Sequence, residues 1–441
     1  MKIPHGFARK GEHRVCRLEK SLYGLRQASQ NWFHKFTTSL LAIGFQQSNV
    51  DYSLFTFYQG ASFLDGLIYV DDVVVIGTDP VRIHKLKQYL DQKFYIKDLG
   101  KLKYFLGIEV AWSTIGVSLS QQNYVLDILS ESGLLGSKPS STSMDQQHKL
   151  TPDAGSMCVD LGQYRRLVGR LLYLTITHPD ISYAVHVINQ FMHAPRQPHL
   201  DAAFQVLRYL NRAPGQGILL PANSSLTLRA YCDADWAGCP STWRSTTGNI
   251  IFLGSSPISW RSKKQSVVSR SCAEAEYRAM ATTSSEIIWL VRLLQDLHVP
   301  CTLHVSLFCG NQAAIHIAAN PVFPERTKHI EIECHFICQH IQSQFLQNQS
   351  SIFEDRGYKY GGLIWRSRNK ERLPFIKQHF KPFANNCLSC ILAQRLDMEE
   401  DSRELEPPSC IRVDIKPQPE LPSPDCRPVT EKLPENPRNS Q

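Results

Sequence analysis

The chain has 441 residues, 42% of them hydrophobic and 20% charged, with a net charge of +8 and a pI near 8.8. That is enough for two or three domains with real cores, and the basic balance suits an anionic partner such as nucleic acid. No apolar run approaches the ~20 residues of a membrane span, and Met1-Lys2-Ile3-Pro4-His5-Gly6 lacks a signal-peptide core, so an intracellular protein of cytoplasm or nucleus, without membrane contact, is expected, its 13 cysteines reduced.

The first predicted element is a helix, on which Trp32, Phe33, Phe36, Leu40 and Leu41 form a stripe. Leu67-Ile68-Tyr69-Val70 and Val73-Val74-Val75-Ile76 then read as two short buried strands around a tight turn, with Asp71 and Asp72 between them. Such turns prefer Asn-Gly or Asp-Gly, and adjacent like charges at an apolar tip repel. Two explanations stay open: a solvated acidic turn, or hard oxygen ligands for a divalent cation such as Mg²⁺. Residues 81–94 read as a helix with Ile83, Leu86 and Leu90 on one face.

Residues 126–225 are mainly helical, with amphipathic stretches over 161–176, 181–192 and 200–210, closed by Pro214-Gly215 and Pro221. A third unit, 226–342, reads as strands over 226–231, 249–253 and 257–260, a long helix over 271–297, a strand over 303–309 and a helix over 312–319. From 343 to 441 the composition changes. Nine prolines lie between Pro407 and Pro437, and a largely disordered tail is expected.

Several motifs follow one another in a recognisable order. They are Ser21-Leu22-Tyr23-Gly24-Leu25-Arg26-Gln27-Ala28, the Tyr69-Val70-Asp71-Asp72 hairpin, Ile96-Lys97-Asp98-Leu99-Gly100, Tyr104-Phe105-Leu106-Gly107-Ile108-Glu109-Val110, Tyr164-Arg165-Arg166-Leu167-Val168-Gly169-Arg170, and His178-Pro179-Asp180-Ile181. Together they resemble the Pol polyprotein of Ty1/copia-type LTR retrotransposons, most like plant copies, as far as about Ile341. The resemblance implies an α/β (α+β) chain: a partial reverse-transcriptase palm over 1–125, a helical thumb and connection over 126–225, and an incomplete RNase H-like domain over 226–342. It implies RNA-directed DNA synthesis and cleavage of RNA–DNA hybrids as ancestral activities, with Mg²⁺ as the ancestral cofactor and RNA, DNA or their hybrid as partners.

It also implies site residues. Asp71 and Asp72 match the polymerase metal-binding pair, and Arg26 and Gln27 lie near template or incoming nucleotide in that family. Two metal ions need several shared carboxylates, and the family's third comes from a strand upstream of Ser21, after which this sequence begins. Asp51 and Asp65 do not occupy that strand. In Tyr231-Cys232-Asp233-Ala234-Asp235-Trp236, Asp233 is in register with the first RNase H metal ligand. In Ser271-Cys272-Ala273-Glu274-Ala275-Glu276, Glu276 is in register with the second, and Glu274, about 200° away around a helix, suits the helix start instead. The third ligand position reads Cys309-Gly310-Asn311-Gln312, and glycine cannot ligate. The fourth motif is absent, and no spacing makes Glu331 or Glu333 its substitute. Neither activity is therefore expected from this chain alone. A domesticated interaction scaffold that uses the RNase H-like domain and the tail is the alternative.

Cys387-x-x-Cys390 has zinc spacing without a second pair at the usual distance. Tyr23, Trp32, Tyr52, Phe55 and Phe57 read as core aromatics before bases to stack on, and 398–404 as a solvated acidic run.

Overall fold

The structure, a computed structural model, describes residues 28–60, 62–145, 148–300, 304–319, 331–343, 345–350 and 409–416. Its first unit begins with α1 (Ala28–Leu41), which buries Phe36 and Leu40. The strands β1 (Gln46–Gln47), β2 (Leu54–Gln59), β3 (Ser62–Tyr69) and β4 (Asp72–Gly77) follow as an antiparallel meander. Alternate residues of these strands enter two different cores, as a period of two requires. Phe55, Leu64, Ile68, Val73 and Val75 pack toward α1 and α2 (Pro80–Lys93). Leu54, Phe63, Leu67, Val74 and Ile76 join the largest core of the molecule. Both faces being covered explains the continuous apolar runs either side of Asp71-Asp72. The side chain of Asp79 caps α2 by accepting from the Arg82 amide at 3.1 Å, and Pro80 occupies its first turn.

After β5 (Tyr95–Lys101), the strands β6 (Tyr104–Phe105), β7 (Ile108–Ser113) and β8 (Gly116–Ser120) lead to the helices α3 (Gln122–Glu131), α4 (Leu161–Leu174), α5 (Ser182–Asn189) and α6 (Gln197–Leu210). These helices share one core, in which fully buried Tyr164 donates its hydroxyl to the Ile188 carbonyl at 2.6 Å. The strand β9 (Gly217–Pro221), not anticipated from the sequence, returns to complete the sheet β6-β7-β8-β9. Gly116 sits at φ +143, and a Cβ there would meet the Leu220 carbonyl at 2.1 Å; the close approach of β8 and β9 depends on it.

The third unit has the expected order of strands and helices, β10 (Leu228–Asp235), β11 (Thr246–Leu253), β12 (Ser256–Lys264), α7 (Cys272–Asp296), β13 (Val305–Cys309) and α8 (Gln312–Ala319), and adds a helix the sequence did not announce, α9 (Glu331–Gln342). β10 is antiparallel to β11 and parallel to β13, and α7 packs against this sheet. The first and third units meet directly. The Ser48 hydroxyl donates to Asp296 at 2.6 Å, and the Tyr58 hydroxyl to the Leu297 carbonyl at 2.7 Å.

Two segments from 343–441, expected as a disordered tail, are strands. β14 (Leu346–Ser350) runs parallel to β13 at the edge of the third unit's sheet. β15 (Ser409–Lys416) lies in the first sheet between β4 and β5, antiparallel to both. Ile411, Val413 and Ile415 are buried in the core that holds Phe36 and Leu90, and they alternate with Arg412, Asp414 and Lys416. That alternation is a strand signature; proline content further along the tail obscures it.

Candidate functional site

The hairpin of β3 and β4 pairs Tyr69 with Asp72, so Val70 and Asp71 form a two-residue turn. Val70 has φ +51 and is 59% exposed. Positive φ at the first central residue is what a two-residue hairpin needs, and it is unfavourable for a β-branched side chain. Val70→Asn places a residue that tolerates this conformation at an exposed position. It is expected to stabilise the first unit by about 1 kcal/mol, seen as a higher urea midpoint; an unchanged or lower midpoint would contradict the strained turn.

β15 runs alongside the aspartates. The Ile415 amide donates to the Asp71 carbonyl at 2.6 Å. Asp414 stands opposite Asp72 in the ladder and Lys97 opposite Asp414 on the far side. Arg412, diagonally across from Asp72, donates from Nε at 2.9 Å and Nη2 at 2.6 Å to one carboxylate oxygen of Asp72, and from Nη1 to the Tyr104 carbonyl at 2.8 Å. Diagonal neighbours two residues apart share a sheet face and are within reach of a long side chain. A guanidinium thus relieves the charge of Asp72. Arg26 and Gln27 lie outside the described residues, as do Tyr23, Cys387 and Cys390.

The second group of candidates is brought together at the ends of β10, α7 and β13. Asp233 lies near the end of β10, and Glu276 in the first turns of α7. Glu276 is 5% exposed, and its carboxyl is pushed up to about 11, by burial first and then by the neighbouring Asp233, with which it shares a hydrogen bond, and by Cys309. The Cys309 thiol donates to Glu276 Oε2 at 3.8 Å. Cys309 also interacts with Cys232, its register partner on β10, a thiol pair not anticipated from the sequence although Cys309 ends β13 and Cys232 precedes Asp233. Gly310 follows β13 where a third carboxylate was sought, so the strand end presents a thiol and a bare backbone.

Glu274 belongs to the helix cap rather than to this group. The Ser271 hydroxyl accepts from the Glu274 amide at 3.2 Å, Glu274 Oε2 accepts from the Arg270 amide at 2.8 Å, and Arg278 pairs with Oε1 at 3.2 Å. These bonds hold Glu274 at the positive end of the helix. The side chains of Glu331 and Glu333 are not among those described.

Neither constellation fits Mg²⁺ as it stands. Among the described residues no group of three or more His, Cys, Asp or Glu side chains is arranged to hold a metal. Asp72 is engaged by Arg412, and burial and the neighbouring Asp233 push the Glu276 carboxyl up from its usual range. A hard dication needs ionised oxygens.

Residues 1–146 match the family described as reverse transcriptase (RNA-dependent DNA polymerase). The retrovirus-related Pol polyprotein from transposon RE1 of Arabidopsis thaliana is 45% identical over 79% of this chain. The putative transposon Ty5-1 protein of Saccharomyces cerevisiae is 32% identical over 65% of this chain and 94% of its own length. The chain belongs to the Pol polyproteins of Ty1/copia-type retrotransposons. It spans 24% of the length of the RE1 polyprotein. Among solved structures, a foamy viral protease-reverse transcriptase in complex with RNA/DNA hybrid aligns with 81% of this chain and 42% of its own, at 12% identity and a TM-score of 0.41, too slight a likeness to carry an argument. Divalent-metal dependence is general to reverse transcriptases.

Proposed function

We propose that this chain is a non-catalytic nucleic-acid-binding remnant of a Ty1/copia polyprotein, intracellular, whose ancestor performed RNA-directed DNA synthesis and hybrid cleavage with Mg²⁺. The observation that carries the reading is that one member of each surviving carboxylate pair is engaged within the protein, Asp72 by Arg412 and Glu276 by Asp233. Two-metal phosphoryl transfer requires those carboxylates ionised and free to bind metal. The full sequence keeps a net charge of +8, which favours polyanions.

The purified chain is expected to extend no primer and cut no RNA–DNA hybrid at millimolar Mg²⁺ or Mn²⁺, while binding hybrid with an affinity that falls as salt rises. Extension abolished by Asp71→Asn, or cutting abolished by Asp233→Asn, would defeat the reading. A scaffold that uses a free tail is less favoured, because 346–350 and 409–416 are committed to sheets within the chain.

A further inference from the structure

The third unit carries an exposed aromatic surface that neither carboxylate group accounts for. β10 and β11 are joined by residues 236–245, and β12 and α7 by 265–271. These loops are fastened to each other. Trp236 Nε1 donates to the Ser269 carbonyl at 3.0 Å and the Gln265 amide to the Ser245 carbonyl at 2.8 Å, while inside the first loop the Ala237 amide donates to the Ser245 hydroxyl at 3.2 Å. Within the first loop, the Trp243 amide donates to the Cys239 carbonyl at 2.9 Å and the Cys239 amide to the Arg244 carbonyl at 3.2 Å. A Cβ at Gly238 would meet Asp235 Oδ2 at 2.0 Å, so the loop turns back against its own strand.

On this rigid base four large apolar side chains face solvent: Trp236 at 45% exposure, Trp243 at 67%, Val267 at 43% and Val268 at 51%. Trp243 also holds φ +54. A bulky residue in the left-handed region is unusual, and here the strained backbone turns an indole toward water, where it gains no burial to offset the cost. Arg244, Lys263 and Arg270 stand in or beside the same loops and form no ion pair with a carboxylate among the described residues. Lys264 is committed to Gln190 and Cys239. Asp233 and Asp235 end the strand that enters the first loop, so the cations border an acidic strand end rather than covering it.

Exposed indoles fixed on a rigid base, with cations in or beside the same loops that form no ion pair among the described residues, suit a strand whose bases are unstacked and whose phosphates lie alongside. A duplex buries its base faces and offers such a surface only its backbone. We propose that the loops 236–245 and 265–271 form a stacking platform for single-stranded nucleic acid, with Trp243 under a base and Lys263 and Arg270 on phosphates. The platform needs no metal and deepens the nucleic-acid reading above, on which it rests.

The test uses the full chain and labelled 12-nucleotide oligo(dT) and oligo(U), with a blunt RNA–DNA hybrid as comparison, by fluorescence anisotropy at several salt concentrations. Trp243→Ala is expected to weaken single-strand binding roughly 5- to 100-fold, the loss of one stacked base, while Trp243→Phe retains most of it. Lys263→Gln with Arg270→Gln is expected to lower the salt slope by about 0.7 for each phosphate no longer neutralised. Trp243 is two-thirds exposed, so its removal leaves the core intact. If the wild-type chain binds single strands and Trp243→Ala binds them equally well, the platform is wrong and the nucleic-acid reading stands. If Trp243→Ala weakens single strands and blunt hybrid alike, the surface grips backbone and stacking is wrong. If the wild-type chain binds none of the three even at low salt, both fall.

Discussion

Val413→Asp is expected to dismantle the first sheet, at a cost of at least about 4 kcal/mol. Val413 is fully buried, paired with Val73 on β4 and Asp98 on β5. A carboxylate there has no partner on the apolar face, where Phe36, Ile83 and Leu90 surround it with hydrocarbon. Ejecting the strand instead strips hydrogen-bond partners from both β4 and β5, which leaves two unpaired edges in the middle of a sheet. Either way the unit loses cooperativity. Urea unfolding followed by circular dichroism should show an early transition, and hydrogen exchange should show weakened protection over 72–77 and 95–101. Unchanged protection of those two segments would mean that 409–416 does not hold them together.

Glu276→Gln is expected to act in the opposite sense, stabilising the chain by roughly 2 kcal/mol at pH 7. The folded carboxyl is raised to about 11 from a usual value of 4.5. The neutral acid's contribution is therefore fully present below pH 4.5 and is lost progressively as pH rises toward 11, because the unfolded chain gives up the proton first. At pH 7 the folded state holds a proton against a pull of about 1.4 kcal/mol per pH unit above 4.5. Glutamine keeps the neutral hydrogen-bonding shape and removes that pull, at the loss of about 1 kcal/mol from its altered bond to Asp233. Wild-type stability should decline between pH 5 and pH 9 more steeply than that of the variant. Parallel curves would show that Glu276 is ionised in the folded protein, and would reopen it as a metal ligand.

Much of this was readable from local pattern. The spacing of Ile83, Leu86 and Leu90 marks α2, and the Asp79-Pro80 pair marks where it begins. Ser271 and Glu274, three apart, announce the cap of α7 and assign Glu274 to it, which leaves Glu276 for Asp233. The apolar runs around Asp71-Asp72 announce a hairpin. What escaped is non-local. The alternation of Ile411, Val413 and Ile415 is as regular as any strand in the chain, but nothing nearby tells it which sheet to enter. The neutralisation of Asp72 by Arg412 depends on that placement, as the buried state of Glu276 depends on three elements meeting. Charge state at a site is a property of assembled neighbours, and a motif carries only the residue.

The span between Arg412 and Asp72, 340 residues, bears on how the molecule is made. At about 5–20 residues per second a ribosome takes on the order of 20 to 70 s to deliver the strand after its acceptor has emerged. Through that interval the apolar hairpin waits with the ladder of β4 open, the sort of high-contact-order closure that is slow even in a finished chain. The newborn protein therefore passes through a stage at which any extended segment of similar pattern can compete for the slot, and its yield in a cell depends on what shields β4 and β5 until β15 arrives.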